Sequence, residues 1–207
     1  MSIDSETDFP DAPENEKGDS KLFAAGKFAP EGTYLRWLEA DLKKASEDPN
    51  VAWIVAGGHR PFSYYNAENK QTLENLFSKY GVAMYFAGHA HSYSRFDAAD
   101  HNGVVHVTVG GAGCEEMLFS ETNPLPGTHT GLVTCEEWGN YQWNDGTKKN
   151  KVESCAGAAF FTDAYAIGQL SVEDNGRGDM TWELYAATDG SVIDTITLKK
   201  EQQKKRL

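Results

Sequence analysis

Apolar and polar positions along the chain follow two alternating periods. Leu35, Leu38, Leu42 and Ala45 recur at helical spacing with Arg, Glu, Asp and Lys between them. This predicts an amphipathic helix with Thr33 at its N-cap and Pro49 closing the segment. The run VAWIVAG over 51–57 follows. It is continuous, short and β-branched, the pattern of a strand covered on both faces. The helical period returns at Leu73, Leu76, Phe77 and Tyr80, with Gly81 as a C-terminal stop. Two more buried strands are predicted at VAMYFAG, 82–88, and VVHVTVGG, 104–111. Helix and buried strand taking turns imply an α/β layer with helices covering a sheet.

The rhythm breaks twice. Residues 9–32 are rich in Pro, Gly, Asp and Glu and read as loop, preceded by Ile3 alternating with acids like a strand end. Residues 112–163 gather Gly, Pro, Thr and Asn and read as one long loop. After it, YAIGQLSVED and MTWELYAATDGSVIDTITL read as antiparallel strands. Trp182 and Leu184 alternate with Thr181, Glu183 and Tyr185, and Asp189-Gly190 is a strong hairpin signal. The expected organisation is one domain over 1–198: a histidine-bearing part over 1–111, the loop over 112–163, and antiparallel strands over 164–198. A basic tail over 199–207 is expected to be frayed and solvated.

Charge sharpens this picture. The 207 residues carry a net charge of −12, and the basic character gathers in the final KKEQQKKRL. Such a body does not suit non-specific nucleic-acid binding, which needs many Lys and Arg against phosphates. No apolar run reaches the roughly 18 residues of a membrane helix, and the acidic start lacks a signal-peptide core. A phosphate-handling site in so acidic a chain needs a strong local positive charge, which a metal ion supplies. The cysteines are Cys114, Cys135 and Cys155. Cys135 and Cys155 flank a polar stretch, and both a disulfide and free thiols remain open for them.

Histidine placement carries the chemistry. His59 follows the first buried strand in AGGHRPF, and His89 and His91 follow the next in AGHAHSYSR. Ligands bind beyond the carboxyl ends of strands in α/β sheets, and glycine at each strand end lets the backbone turn sharply. Two adjacent strands would deliver three imidazoles to one sheet edge, and neutral imidazole is the commonest metal ligand. His106 lies inside an apolar strand and reads as a core or supporting residue. His101 and His129 read as loop surface.

GHRPF followed by GHAHSYSR resembles the last two metal-binding blocks of the calcineurin-like metallophosphoesterases, closest to the purple acid phosphatases. SIDSETDF, GTYLRWLEADL, VHVTVGGAGCEE and WELYAATDGSVIDTITL resemble further stretches of that family in the same order. The resemblance implies the C-terminal half of a four-layer fold, a mixed sheet with covering helices and a C-terminal antiparallel hairpin. It implies a binuclear metal centre of iron with iron, zinc or manganese. His59 and His89 look like ligands of the divalent metal and His91 like a ligand of the other. Tyr93 and Arg95 resemble positions that pack and orient the histidine loop. The family's earlier Asp, Asp-Tyr and Asn-His blocks have no counterpart here, so the centre is expected to be incomplete in this chain. YYNAENK lacks the histidine pair that plant members carry, which leaves the general acid unassigned, and Asp4 and Glu6 read as surface carboxylates.

The leading expectation is therefore the C-terminal portion of an acid phosphatase that hydrolyses phosphate monoesters by metal-hydroxide attack. Such a portion is expected to be inactive and not purple by itself, with secretion or a vacuole implied by the resemblance. The alternative is a non-catalytic remnant or binding module with at most one weak metal site. A third reading is an unrelated α/β domain with structural histidines. Strands that want cover on both faces also predict association through an exposed sheet edge.

Overall fold

The computed structural model describes residues 1–3, 33–65, 67–111, 135–136, 155–162 and 164–204. The expected loop over 9–32, most of 112–163, Asp4, Glu6, Cys114 and His129 lie outside these residues. The described strands form two sheets. A mixed sheet has the order β1-β2-β4-β3-β5, built from Ile54–Gly57, Val82–Ala87, Val105–Val109, Tyr93–Phe96 and Phe160–Thr162 in that spatial order. A second, antiparallel sheet holds β6 (Ala166–Val172), β7 (Met180–Ala186) and β8 (Val192–Leu198).

Helices α1 (Thr33–Glu47) and α2 (Ala67–Lys79) cover one face of the mixed sheet. Their apolar stripes are the ones the sequence predicts: Leu38 and Leu42 from α1 meet Leu73, Leu76 and Phe77 from α2 over Val82, Tyr85 and Ala87. Gly81 ends α2 at φ 69°, a left-handed conformation that glycine adopts without steric cost. The two helices also meet at Glu39, which accepts from Lys79 Nζ at 2.7 Å and Tyr80 Oη at 2.9 Å. β1, α2 and β2 form a parallel crossover unit, and β4 extends it in parallel. β3 runs antiparallel to both β4 and β5.

The antiparallel sheet packs on the opposite face. Met180, Trp182 and Leu184 of β7 meet Met84, Val105 and Val107. This is the alternation read from the sequence, and Asp189-Gly190 forms the β7–β8 turn with Gly190 at φ 71°. Gly168 of β6 leaves room for the Trp182 ring, since a Cβ there would lie 1.8 Å from Trp182 Cη2. The fold class is thus α/β with a mixed sheet, covering helices and a C-terminal antiparallel hairpin.

Several boundaries differ from expectation. The first strand is only Ile54–Gly57, and Val51 is exposed. An apolar run gives no signal for where pairing begins, and β1 pairs only where β2 runs alongside it. β3 and β5 were not expected. YSRF is short and non-alternating, and β5 lies inside the region read as loop. Ser2 bridges Gly57 in parallel, so the first residues lie along the β1 edge as a strand end.

The tail expectation is corrected in part. Lys200–Lys204 is a short helix whose Gln203 is buried and donates its amide to Gly81 O. Lys200 donates to Ala52 O and lies 4.8 Å from the Trp53 ring centroid. Apolar and aromatic contact along the lysine stem outweighs the solvation expected from charge alone. Cys135 and Cys155 form a disulfide, which resolves the two readings of that pair.

Candidate metal centre

The carboxyl ends of β1 and β2 lie side by side, and each leads through glycine into a histidine loop. Gly58 N donates to Phe86 O at 2.9 Å and Gly88 N donates to His59 O at 3.0 Å, so the two loops are tied to each other by backbone. Gly58 is required here, because a Cβ would approach Tyr85 Oη to 2.6 Å. Tyr85 Oη in turn donates to Arg60 O at 2.8 Å and fixes the loop after β1.

His89 has φ 60°, a left-handed conformation uncommon for non-glycine residues and concentrated at functional sites. Its ring meets His59 edge to face with centroids 5.1 Å apart, and Nδ1 of His89 is 3.2 Å from Nε2 of His59. Arg60 Nη1 donates to His89 Nε2.

His91 belongs to the same loop and is half-buried. Among the described residues, no group of three metal-ligating side chains includes His59, His89 and His91 together. The structure therefore brings two of the three predicted histidines into contact and places the third two residues further along. The loop rests on the end of β4. Gly110 packs so tightly against it that a Cβ would lie 1.7 Å from Ala90 O.

Tyr93 and Arg95 leave the loop on β3 and point to the antiparallel sheet. Tyr93 Oη donates to Asp194 Oδ2 at 2.6 Å and accepts from Trp182 Nε1 at 3.1 Å. Arg95 grips the same carboxylate with Nε at 2.8 Å and Nη2 at 3.1 Å, and also pairs with Asp97. Burial and the Asp194 carboxylate push the Tyr93 phenol far above its ordinary range, so it stays a neutral donor. The Asp194 hydrogen bond likewise raises the Arg95 guanidinium. Asp194 gave no sequence signal, since it sits at one apolar-facing position of a strand that otherwise reads as a plain hairpin.

A second histidine cluster lies under α2. His106 is buried on β4 and packs on Phe62 with ring centroids 4.3 Å apart, as a core residue should. Burial, with His101 and Lys70 adding to it, holds its imidazole neutral with a pKa of about 3. His101 is not loop surface. Its side chain is largely buried, pairs with Glu74 Oε1 at 3.0 Å, and sets its ring against Phe96 and His106. The reversal at Asn102 (φ 51°) and Gly103 (φ 91°) folds His101 back onto α2, which a polar turn sequence does not reveal.

No protein-family model matches the chain. Among curated proteins it is similar to mouse acid phosphatase type 7, 37% identical over 118 residues, which cover 41% of this chain and 27% of that protein. It is 36% identical over 142 residues to acid phosphatase A of Cryphonectria parasitica, covering 59% of this chain and 27% of the relative. An acid phosphatase of Aspergillus ficuum is 26% identical over 229 residues, covering 97% of this chain and 36% of the relative. In fold it is similar to a purple acid phosphatase from yellow lupin seeds, with a TM-score of 0.54 and 20% identity over 84% of this chain and 29% of that one. The chain spans about a quarter to a third of the length of these relatives. By sequence the chain is similar to acid phosphatases, and its fold is similar to that of a purple acid phosphatase.

Proposed function

We propose that this chain supplies the histidine-bearing side of a binuclear-metal acid phosphatase that hydrolyses phosphate monoesters. The observation that carries this reading is the contact of His59 and His89, 3.2 Å apart beyond the ends of two adjacent parallel strands. Two ligands on one tetrahedral metal with bonds of about 2.1 Å lie roughly 3.4 Å apart, so the pair fits one divalent ion. His59 and His89 would hold that ion and His91 the second, iron with iron, zinc or manganese as in the purple acid phosphatases. Bound there, the metals would acidify a water to hydroxide and clamp the phosphoryl oxygens.

The chain's own residues do the positioning. Gly110 lets the loop that carries the left-handed His89 pack closely on the end of β4. Tyr93 and Arg95 anchor the far end of the loop to Asp194. Arg60 brings a fixed cation to His89 in an otherwise acidic chain. The Arg60 guanidinium on His89 Nε2 sets a positive charge beside these ligand nitrogens, which favours a second reading, a non-catalytic module with one weak metal site.

The test is metal and phosphate binding by the 207-residue chain, read against single His59→Ala and His89→Ala variants. The proposal expects each substitution to weaken Fe²⁺ or Zn²⁺ binding at this edge tenfold or more and to abolish metal-dependent binding of inorganic phosphate. Phosphate binding that survives both substitutions would refute it. Hydrolysis of p-nitrophenyl phosphate by this chain is expected to be no faster than by His89→Ala. Metal-dependent turnover would show that the chain holds a complete centre.

A further inference from the structure

We propose that Glu74, His101 and His106 form an additional divalent-cation site of zinc type, between α2, the β3–β4 turn and β4. One ligand atom from each lies within 4.8 Å of the other two. Glu74 Oε1 is 3.0 Å from His101 Nδ1 and 3.9 Å from His106 Nε2. These separations bracket the roughly 3.4 Å between ligands on a tetrahedral zinc with bonds of about 2.1 Å. Two imidazoles and a carboxylate are the donor types of three-ligand zinc sites that keep one position open.

The second observation is His106 itself. It is 5% exposed, yet neither ring nitrogen has a hydrogen-bond partner among the described residues. Buried polar atoms are nearly always satisfied, so an imidazole with both nitrogens orphaned needs an explanation. Phe62, Tyr85 and His101 pack around the ring and hold its orientation. Nε2 faces the Glu74 carboxylate at a distance too long for a hydrogen bond and suited to a shared cation. An ordinary core histidine would be expected to donate to a backbone or side-chain acceptor, and this one does not.

The surroundings allow a cation to enter. His101 and His106 line a cavity of about 320 Å³ together with Ser63, Asp100 and Thr108. Ser63 Oγ is a further buried atom without a partner among the described residues. Lys70 also lines the cavity, on the same lining as Asp100. Neither His101 nor His106 belongs to the histidine blocks at the β1 and β2 ends, so the two sites can be separated by mutation.

The test uses the 207-residue chain carrying His59→Ala, His89→Ala and His91→Ala. This variant is expected to bind one Zn²⁺ in competition with a chromophoric chelator, and Co²⁺ is expected to give the intense visible bands of a low-coordinate site. Adding Glu74→Gln or His101→Gln should weaken zinc tenfold or more, with folding checked by far-UV circular dichroism. The proposal is overturned if the folded triple variant binds no zinc, or if both substitutions leave its affinity unchanged. If the triple variant does not fold, Glu74→Gln and His101→Gln are made in the otherwise unaltered chain. There each should remove one equivalent of bound zinc, and unchanged stoichiometry overturns the site.

Discussion

Asp194 ties the two sheets together through a buried carboxylate. Its carboxylate accepts from Tyr93 at 2.6 Å and from Arg95 at 2.8 and 3.1 Å, and it is almost fully buried. Asp194→Ala leaves the largely buried Arg95 guanidinium with only the half-exposed Asp97, and leaves Tyr93 Oη without its acceptor. Removing one partner of such a buried pair costs about 3–5 kcal/mol, because the remaining charge stays desolvated. At about 2–4 °C per kcal/mol for a chain of this size, the melting temperature should fall by roughly 10 °C. Tyr93→Phe removes one neutral donor and should cost about 1 kcal/mol. Urea unfolding at pH 7 measures both, with the exposed Thr195→Ala as the control. If Asp194→Ala costs no more than Thr195→Ala, the inter-sheet network contributes nothing to stability and the reasoning is wrong.

Acid should destabilise the chain through His106. Its folded pKa, about 3, lies below the ordinary 6.5, so its contribution is full above pH 6.5 and is lost as pH falls toward 3. At pH 5 the loss is about 2 kcal/mol, to which His101 and Lys70 add and which Glu74, 3.9 Å away on α2, and the cavity's Asp100 oppose. His106→Phe should lack that component, so with chelator present the two chains should differ in slope between pH 7.5 and 5, and equal slopes would refute the assignment. Reducing the Cys135–Cys155 disulfide opens a 20-residue separation and should lower stability by about 3 kcal/mol, measured by unfolding with and without reductant. Gly110→Ala drives a Cβ into Ala90 O and should cost 2 kcal/mol or more, whereas Gly190→Ala meets open space and should cost about 1 kcal/mol from its positive φ alone. Equal losses in thermal melts would show that the β4 end yields to the histidine loop.

The helices and central strands were legible because their signals are local. Leu38, Leu42, Leu73 and Phe77 declare a period that the packing then uses. The order of the strands was not legible, since β3 enters between β4 and β5 through pairings that no local pattern encodes. His59 and His89 could be found because each follows a glycine at a strand end. The Glu74–His101–His106 cluster could not, because its members come from a helix, a turn and a strand interior with no shared spacing. Asp194 was hidden for a similar reason. A polar residue on a half-buried strand looks solvent-facing until its partners 99 and 101 positions away are known.

The crossover unit β1–α2–β2 is complete within residues 54–87, whereas β5 reaches β3 only across the separation from Arg95 to Phe160. Closing a long loop costs entropy before any contact rewards it, so distant pairings form late. The loop bearing His59 therefore lies within a local, early-forming unit, and the Asp194 fastening, with partners 99 and 101 positions away, is expected to complete late. Substitutions at that fastening should quicken unfolding and leave the refolding rate nearly unchanged. The chain's lifetime in its native state and the shaping of its histidine edge are thus set by different, separately adjustable parts of the sequence.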